Sequence, residues 1–456
     1  MTTVSDRHTM AVALPPGPRV PRAVQGAIAV ANRRLALRRM RAWYGPDFTV
    51  HLPIFGHTVV ISDPDHVRQV FKSPPGTLET IDQNLGRVMG PNSMFALTGD
   101  RHRAQRKLLA PPFHGRRLKA YEALMEAETL REMVTWPVGA EFATMPSMMR
   151  ITLNVILRAV FGAEGRQLER LRVLLPPMVE LGSLLTLIPV PQWDWGRFSP
   201  WGRLFAYRRT YDSIVDELIA KAQSDSGLGD RDDVLALMLQ SRYDDGTQMS
   251  RDEIADELIT LLSAGHETTA TTLAWGVERL RRHPALLERL VAELDAGNED
   301  LLDATILELQ RSRPVIDTAL RKVVAPSYQL GPWTLPRGQT ILLSIGLMHD
   351  DEALFADPGR FDPYRFVGVR PDNNQWVPFG GGARRCIGAS FASMELKVVL
   401  RTMLREFTLG PTTAPDERWR SRGVALAPGK GGLAVLTSRR HTAGGSSDSA
   451  DLRHRR

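Results

Sequence analysis

The sequence of 456 residues contains one cysteine and no long apolar run. A single cysteine excludes an internal disulfide framework, a zinc site built from several cysteines and an iron–sulfur cluster held only by cysteines of this chain. It fits the reducing cytoplasm, where we expect the protein to be located. No segment reaches the roughly 20 apolar residues of a membrane-spanning helix. The composition, with 43% hydrophobic and 24% charged residues, is that of a folded globular protein.

Positive charge is concentrated at the two ends of the chain. The formal net charge is +7, but residues 1–42 alone contribute +7 and residues 439–456 contribute +3. Residues 43–438 therefore have a net charge of −3, and we expect no nucleic-acid groove across them. Arginines beside the moderately apolar segment Ala23–Ala31 permit weak peripheral contact with anionic lipid. The alternative is a surface helix that packs on the domain.

Hydrophobic periodicity predicts a mostly helical protein with a small β-rich lobe. A long helix begins near Ser250, which forms a capping box with Glu253, and ends by about Arg282. Hairpins are predicted for Phe48–Ser62, for Tyr328–Thr340 and across Gly429–Gly432, and an apolar loop for Leu181–Phe198. The other main predicted helices are Asp100–Ala110, Arg116–Trp136, Pro146–Phe161, Gly165–Glu180, Gly202–Ala222, Asp232–Leu239, Pro284–Asp295, Glu299–Arg311 and Gly388–Arg405.

The chain shows no internal repeats, and we expect a single domain in residues 43–438. Residues 1–42 form a basic, proline-rich N-terminal segment and a first helix. Residues 439–456 are rich in serine, glycine and charge, which predicts a disordered tail.

The only cysteine lies in a glycine-rich loop that opens onto a predicted helix, residues 379–388. Flanking arginines and the helix dipole favour a thiolate, and the three glycines let the backbone pass close to a flat ligand. An inert core cysteine is one alternative, and a phosphate loop is another, although the GxxxxGK[ST] spacing is absent. The segment resembles the FxxGxRxCxG haem-binding signature of the cytochrome P450 family, which it matches at Phe379, Gly382, Arg384, Cys386 and Gly388.

The long helix contains a polar segment, Ser263-Ala264-Gly265-His266-Glu267-Thr268-Thr269, made largely of weak helix formers. Threonine hydroxyls can bond the carbonyl one turn back and open a notch, so a polar notch in a buried helix is one interpretation. A zinc-binding HExxH motif is excluded because position 270 is alanine. The segment resembles the oxygen-activation motif of the family. The resemblance places Ala264 and Gly265 beside the haem, with Glu267 as the acid and Thr268 as the alcohol.

Two further patterns follow the order of P450 motifs along the chain. Glu308 and Arg311 resemble the ExxR motif, and residues 363–366 resemble the PERF motif, with Tyr364 in place of the usual acid. The resemblance implies a structural cluster of Glu308, Arg311 and Arg365 that locks the loop before the haem.

Cations at three places match the family's propionate-binding positions. His102 and Arg106 lie four residues apart, on one face of a predicted helix, and resemble the HxxxR motif. Arg321 and Arg384 match the corresponding arginines of the adjacent strand and of the cysteine loop. Each cation alone is typical of a protein surface.

The resemblance extends from residues 14–18 to the cysteine helix, where Phe391, Ala392 and Glu395 also fit. It implies the cytochrome P450 fold, a soluble bacterial type and one haem-thiolate catalytic domain. It also implies haem b as cofactor, with Cys386 as axial iron ligand. The implied reaction is monooxygenation, in which one oxygen atom of O2 enters a lipophilic small molecule and Thr268 and Glu267 help to deliver protons.

No flavin or iron–sulfur domain is recognisable, so the resemblance implies electrons from NAD(P)H through a ferredoxin and a ferredoxin reductase. We expect a monomer and a basic docking patch formed by Arg103, Lys107, Arg116, Arg117, Lys119 and Arg385. Candidate pocket walls are Pro74–Met94, Leu181–Trp195 and Leu258–Leu262. The alternatives are a haem-thiolate binding or sensing protein without turnover, and an enzyme that uses peroxide directly.

Overall fold

The computed structural model describes residues 12–52, 55–81, 85–162, 165–187 and 192–439. In these ranges, fourteen α-helices contain about half of the described residues, and twelve short strands form small sheets. The predicted fold class, mostly α with a small β-rich lobe, is confirmed. Of the predicted tail only residue 439 is described, and the remainder lies outside the described residues together with residues 1–11.

The helices bury apolar faces in one large core that is centred on the longest of them. They are α1 (Arg22–Tyr44), α2 (Pro64–Phe71), α3 (Leu85–Met89), α4 (Gly99–Leu109), α5 (Arg116–Met133), α6 (Met145–Phe161), α7 (Arg166–Leu187), α8 (Pro200–Gln223), α9 (Val234–Gln240), α10 (Arg251–Leu280), α11 (Pro284–Asp295), α12 (Asp300–Ser312), α13 (Ile345–His349) and α14 (Ala389–Glu406). No helix in the described part of the chain has the length and apolar character needed to cross a membrane.

The start of α10 is fixed by its sequence. The Ser250 hydroxyl accepts the Glu253 N–H at 3.2 Å, and the Glu253 carboxylate accepts the Ser250 N–H at 2.8 Å. The predicted capping box is therefore confirmed. The helix then runs for 30 residues through the core and packs against α6, α12 and α14.

Helix α7 extends further than its sequence indicates. We expected the helix to end at Glu180 and a loop to follow as far as Phe198, but α7 continues to Leu187 and contains Pro176 and Pro177. Each proline removes a backbone donor. The neighbouring Leu175 and Met178 are buried in the core, and this packing keeps the segment helical. The part of the predicted loop at residues 188–191 lies outside the described residues.

The strands form four sheets. They are β1 (Asp47–Leu52), β2 (Gly56–Ile61), β3 (Leu78–Glu79), β4 (Glu141–Ala143), β5 (Thr318–Val323), β6 (Ser327–Leu330), β7 (Trp333–Pro336), β8 (Thr340–Ser344), β9 (Phe407–Leu409), β10 (Trp419–Arg422), β11 (Ala425–Pro428) and β12 (Leu433–Arg439). The largest sheet has the order β1-β2-β8-β5-β3, with β2 and β8 parallel and the other pairs antiparallel. The predicted hairpins β1–β2 and β6–β7 are confirmed.

The predicted hairpin across Gly429–Gly432 is wrong. Strand β11 pairs with β10 through a turn that contains Gly423, whereas β12 pairs with β4 and β9. Gly432 permits close packing of this segment against α10, because a Cβ there would lie 2.4 Å from the Ala274 carbonyl oxygen. Close packing against α10, which the sequence does not reveal, accounts for a glycine that we interpreted as part of a turn.

Candidate active site

Helix α10 is buried along most of its length except at one short stretch, Ala264, Gly265 and Thr268, which we call the window. From Ile254 to Leu280 every residue is buried except Ala264, Gly265 and Thr268. Ala264 and Thr268 lie one turn apart on the same face, so they border one internal space. The Thr268 hydroxyl donates to the Ala264 carbonyl at 2.8 Å, which leaves its oxygen available as an acceptor.

Gly265 lies against a neighbouring helix. A Cβ at this position would come within 3.3 Å of the Ile156 side chain of α6. The Thr152 hydroxyl of α6 also donates to the His266 carbonyl at 2.9 Å. Gly265 therefore permits the close approach of α6, while Ala264 and Thr268 form the open part of the window.

Cys386 lies between a short 3₁₀ turn and the start of α14. Its N–H donates to the Phe379 carbonyl at 2.9 Å and closes the loop, and the Phe379 ring packs edge-on against Trp376 with 6.0 Å between the ring centres. Gly388 is the residue immediately before α14. The cysteine side chain is accessible, but only to an enclosed space, because protein atoms surround it on most sides.

The surroundings of Cys386 do not by themselves favour a thiolate. Burial raises the pKa of the Cys386 thiol, and the Gly388 N–H with the charges of Arg106 and Arg385 opposes this only in part. The arginines and the start of the helix therefore favour the thiolate, as expected, but burial outweighs them and leaves the pKa of the thiol raised in the protein alone. Coordination of the sulfur to a metal ion would deprotonate it.

Two glycines of the cysteine loop make room for Phe71, the last residue of α2. A Cβ at Gly381 would lie 2.4 Å from the Phe71 ring, and a Cβ at Gly382 would lie 2.2 Å from the Phe71 carbonyl oxygen. Gly382 also has φ +63°, a conformation that favours glycine. We interpreted these glycines as space for a flat ligand, whereas Gly381 and Gly382 seat the loop on the end of α2.

Four cationic or basic side chains from three segments meet beside the cysteine loop: His102 and Arg106 of α4, Arg321 of β5 and Arg384 of the loop. Burial, followed by the charges of the three arginines, lowers the pKa of His102 to about 4. Burial is also the main cause that lowers the pKa of Arg321 and of Arg384 to about 10. None of the four forms an ion pair with a carboxylate in the described ranges. These cations are partly buried, and among the described residues only Arg384 feels the charge of a nearby carboxylate, that of Glu79. Since partly buried cations without counterions are costly, the cluster favours an anion.

One segment connects the cysteine loop to α10. Arg384 donates to the Met94 carbonyl at 2.7 Å and also to the Leu97 carbonyl. The Met94 N–H donates to the Glu257 carboxylate of α10 at 2.6 Å. Residues 94–97 therefore hold the loop and the helix that carries the window in a fixed relation.

Glu267 faces a partner that the sequence did not indicate. Its carboxylate lies 3.4 Å from Arg422 Nε of β10, which is 155 residues away along the chain. Burial raises the pKa of Glu267, and the charge of Arg422 lowers it. Sequence reasoning missed Arg422, since an arginine in a short strand carries no local signal of such a contact.

Glu308 and Arg311 form a forked ion pair in the core. Arg311 Nε and Nη2 donate to the two Glu308 oxygens at 2.7 and 2.8 Å, and both side chains are fully buried. Arg365 joins only through Nε, 3.2 Å from Glu308, and donates from Nη1 to the Ala356 carbonyl. Glu308 also accepts the Asp362 N–H at 2.9 Å. The three residues are thus brought together, and they hold the segment that leads to the cysteine loop.

These features together fit an iron porphyrin. Cys386 offers one sulfur to an enclosed space, the four-residue cluster around His102 offers donors to two carboxylates, and the α10 window offers an apolar and a hydroxyl surface. A family model described as Cytochrome P450 matches residues 15–435 of the chain.

Relatives are found among curated proteins. A Mycobacterium tuberculosis protein that is named provisionally as cytochrome P450 138 is 54% identical over 428 residues, which cover 94% of this chain and 97% of that protein. A second protein of M. tuberculosis, named provisionally as cytochrome P450 135B1, is 37% identical over 433 residues and covers 93% of this chain and 91% of its own length.

Solved structures share the fold. Cyanobacterial CYP120A1 with bound retinoic acid has a TM-score of 0.81 at 24% identity, and the match covers 93% of this chain and 99% of that one. The haem domain of cytochrome P450DA has a TM-score of 0.80 at 22% identity, with coverage of 94% and 98%. At these identities the likeness shows the fold alone. Since the family model spans most of the sequence and a relative shares more than half of the aligned residues, the chain belongs to the cytochrome P450 family.

Proposed function

We propose that this P450 is a monooxygenase that inserts one oxygen atom of O2 into a lipophilic small molecule and releases the other as water. The observation that supports this most is the window in α10, where a hydroxyl and a small apolar residue border an internal space within an otherwise buried segment. Haem b, when bound, supplies the iron at which dioxygen is reduced and split.

In this proposal the cysteine loop and the cationic cluster hold the haem. Cys386 would bind the haem iron through its sulfur, and the Gly388 N–H and the charges of Arg106 and Arg385 would stabilise its thiolate form. His102, Arg106, Arg321 and Arg384 would bind the two propionates, which would supply the anions that the cluster lacks. Phe379, Gly382 and Gly388 shape the loop around the ligand.

In this proposal Thr268 and Glu267 hold and transfer protons at the α10 window. The Thr268 oxygen accepts a hydrogen bond in the window, because its own proton is donated to Ala264. The Glu267 carboxyl can hold and release a proton, because burial raises its pKa while Arg422 limits the rise. Adjacent residues of a helix point about 100° apart, so ordered water would connect the two groups.

The substrate would contact the face of α10 that carries Ala264 and Thr268. All five residues of the predicted wall Leu258–Leu262 are buried; Leu261, the most exposed of them at 7%, lies one turn from Ala264 on the window side. We propose that Leu261 contacts the substrate. The walls Pro74–Met94 and Leu181–Trp195 include residues 82–84 and 188–191, which lie outside the described residues.

Electrons would come from NAD(P)H through a ferredoxin reductase and a ferredoxin. The predicted docking patch is weaker than the sequence indicates, because Arg103 pairs with Asp100 and Lys107 pairs with Asp244. Lys119 and Arg385 are exposed, and the side chains of Arg116 and Arg117 lie outside the described residues.

Charge reversal at Lys107 and Arg117 should slow electron transfer from ferredoxin at low salt, with Lys221→Glu as control. Equal rates at all salt concentrations would contradict this patch. The cytoplasmic location and the monomeric state stay predictions.

The absorption spectrum of the reduced, carbon-monoxide-bound protein tests the haem-thiolate site. We expect a strongly red-shifted Soret band that disappears in Cys386→Ala. A well-folded protein that binds no haem would overturn the proposal.

A second experiment separates the monooxygenase from the two alternatives. Turnover with ferredoxin, reductase and NADPH under ¹⁸O2 should give a singly labelled product. Product formed only with added hydrogen peroxide would indicate a peroxygenase. Bound haem without product from a broad panel of lipophilic compounds would indicate a binding or sensing protein.

A further inference from the structure

His349, the last residue of α13, connects α12 to the segment that enters the cysteine loop. It is only 1% exposed. The Val377 N–H donates to its Nε2 at 3.1 Å, so this nitrogen is an acceptor and carries no proton. The proton of the ring is therefore on Nδ1, which donates to the Arg311 carbonyl at 3.1 Å. Both ring nitrogens are thus used to join residue 377 to α12.

The surroundings keep the His349 ring neutral. Burial, followed by the charge of Arg311, lowers the pKa of His349 to about 3. A neutral imidazole has one donor and one acceptor, which are the two functions that this bridge needs. The ring can therefore join a carbonyl to an N–H without burying a further charge.

The support of the His349 ring is itself fixed. Arg311 Nη1 donates to the His349 carbonyl at 2.7 Å, while the His349 ring donates to the Arg311 carbonyl. Arg311 also forms the fully buried ion pair with Glu308. Helix α1 holds α13 as well, because Arg41 donates to the Leu347 carbonyl at 2.7 Å. Buried networks in which the polar groups are satisfied are rigid, so the ring has a defined position.

Two neighbouring residues tie the entry of the cysteine loop to α12. The Trp376 indole N–H donates directly to the Leu307 carbonyl at 3.1 Å. Val377 reaches the Arg311 carbonyl through His349. Leu307 and Arg311 lie one helical turn apart. Because the two contacts end at different points of one helix, the segment cannot rotate about either contact alone.

Hydrogen bonds continue from this segment to the cysteine. The Val377 carbonyl accepts the Gly380 N–H at 2.9 Å, and the Phe379 carbonyl accepts the Cys386 N–H at 2.9 Å. A displacement of Val377 would therefore move the backbone that carries the Cys386 sulfur. In a site that depends on position, a shift of about 1 Å is enough to impair the chemistry.

We propose that His349 is a positioning residue that orients the Cys386 sulfur towards the haem iron by fixing Val377 on α12. This role rests on the proposed haem-thiolate site and deepens it. His349 belongs to none of the sequence motifs described above, so the orientation of the cysteine depends on a residue outside them.

Two substitutions at position 349 separate the two contacts of the ring. In side-chain length, the amide of asparagine corresponds to Nδ1 and the amide of glutamine corresponds to Nε2. His349→Gln can therefore still accept the Val377 N–H, whereas His349→Asn leaves this buried N–H unpaired. The absorption spectrum of the reduced, carbon-monoxide-bound haem protein is the readout, because thiolate ligation gives a strongly red-shifted Soret band and a neutral ligand gives an unshifted one.

We expect His349→Asn to lower the ratio of the red-shifted to the unshifted band by about tenfold, the effect of one unpaired buried N–H. His349→Gln should keep the ratio close to that of the unchanged protein. The matched control is His283→Asn, at a partly buried histidine that precedes α11 and packs against Phe361; it should leave the ratio unchanged.

Equal ratios in His349→Asn and the unchanged protein would overturn the role of His349, and so would an equal fall in His349→Asn and His349→Gln. A red-shifted band that is missing from the unchanged protein would instead overturn the proposed function. Far-ultraviolet circular dichroism shows whether His349→Asn is folded. If it is not, hydrogen exchange in the unchanged haem protein decides: a Val377 N–H that exchanges as fast as that of the exposed Asn373 overturns the role, and slower exchange supports it.

Discussion

At the scale of single residues, the proposed proton path depends on two neighbours in the chain with different surroundings. Thr268 borders the internal space, whereas Glu267 is buried against Arg422. The hydroxyl and the carboxyl can therefore be tested separately.

Replacing Thr268 with alanine should leave the haem content unchanged and lower the product formed per NADPH oxidised by about 10- to 100-fold, because a positioned proton-transfer group is lost. The measurement compares NADPH consumption with product. Thr269→Ala is the control, since its hydroxyl makes the same kind of bond, to the Gly265 carbonyl at 3.0 Å, from a buried position. Unchanged coupling in Thr268→Ala would remove Thr268 from the path.

Replacing Arg422 with glutamine should raise the pKa of Glu267, because the charge that lowers this pKa disappears while burial remains. Glu267 then keeps its proton to a higher pH, and the limb of the rate–pH profile that it controls should move to higher pH. Turnover is measured across the pH range, with Arg420→Gln on the same strand as control. Identical profiles for Arg422→Gln and the unchanged protein would contradict a role for this pair.

The sequence predicts the members of the proposed site better than their contacts. Cys386, Thr268 and the basic residues were named from local motifs that resemble those of the P450 family, and their roles stay predictions. The partner of Glu267, and the direction in which the pKa of Cys386 is shifted, depend on burial and on residues distant along the chain. Local spacing contains no information about either.

At the scale of secondary-structure elements, helices with strong periodicity and caps were predicted to within a few residues. Errors arose where tertiary packing overrides local signals. We predicted a helix end at Glu180 and a hairpin across Gly429–Gly432, but α7 continues to Leu187 and β12 pairs with β4 and β9. In both places contacts with the core decide the conformation.

Replacing Glu308 with glutamine should lower the free energy of unfolding by about 3–5 kcal/mol, because Arg311 would remain buried without a counterion. Chemical denaturation measures the change. Asp303→Asn in the same helix is the control; its partner Lys397 lies at 2.9 Å in an exposed pair, and the expected loss is below about 1 kcal/mol. Equal losses in the two variants would show that burial does not set the strength of the Glu308 pair.

At the scale of the whole molecule, Glu257 connects α10 to α4 and to the segment that precedes α4. It accepts the Met94 N–H at 2.6 Å and the Gln105 amide at 2.5 Å. Burial nevertheless raises the pKa of Glu257 from 4.5 to about 8.

The stability of the fold should therefore depend on pH through Glu257. In the folded protein Glu257 keeps its proton up to about pH 8, whereas in the unfolded chain it loses the proton near pH 4.5. Its contribution to the free energy of unfolding is therefore complete below about pH 4.5 and is lost as the pH rises towards 8. Glu257→Gln should become more stable relative to the unchanged protein between about pH 5 and pH 9. Thermal unfolding of both proteins measures the difference, with the exposed Glu288→Gln as control. A constant difference would contradict the raised pKa.

The contact of the cysteine loop with α2 has a consequence for how this protein can change during evolution. At position 381 the obstacle to a larger residue is the Phe71 ring, so a smaller side chain at 71 could compensate for a substitution there. At position 382 the obstacle is the backbone oxygen of residue 71, which every amino acid retains. In descendants of this sequence, residues 71 and 381 can therefore change together. A substitution of the glycine at 382 cannot be compensated by any mutation at position 71.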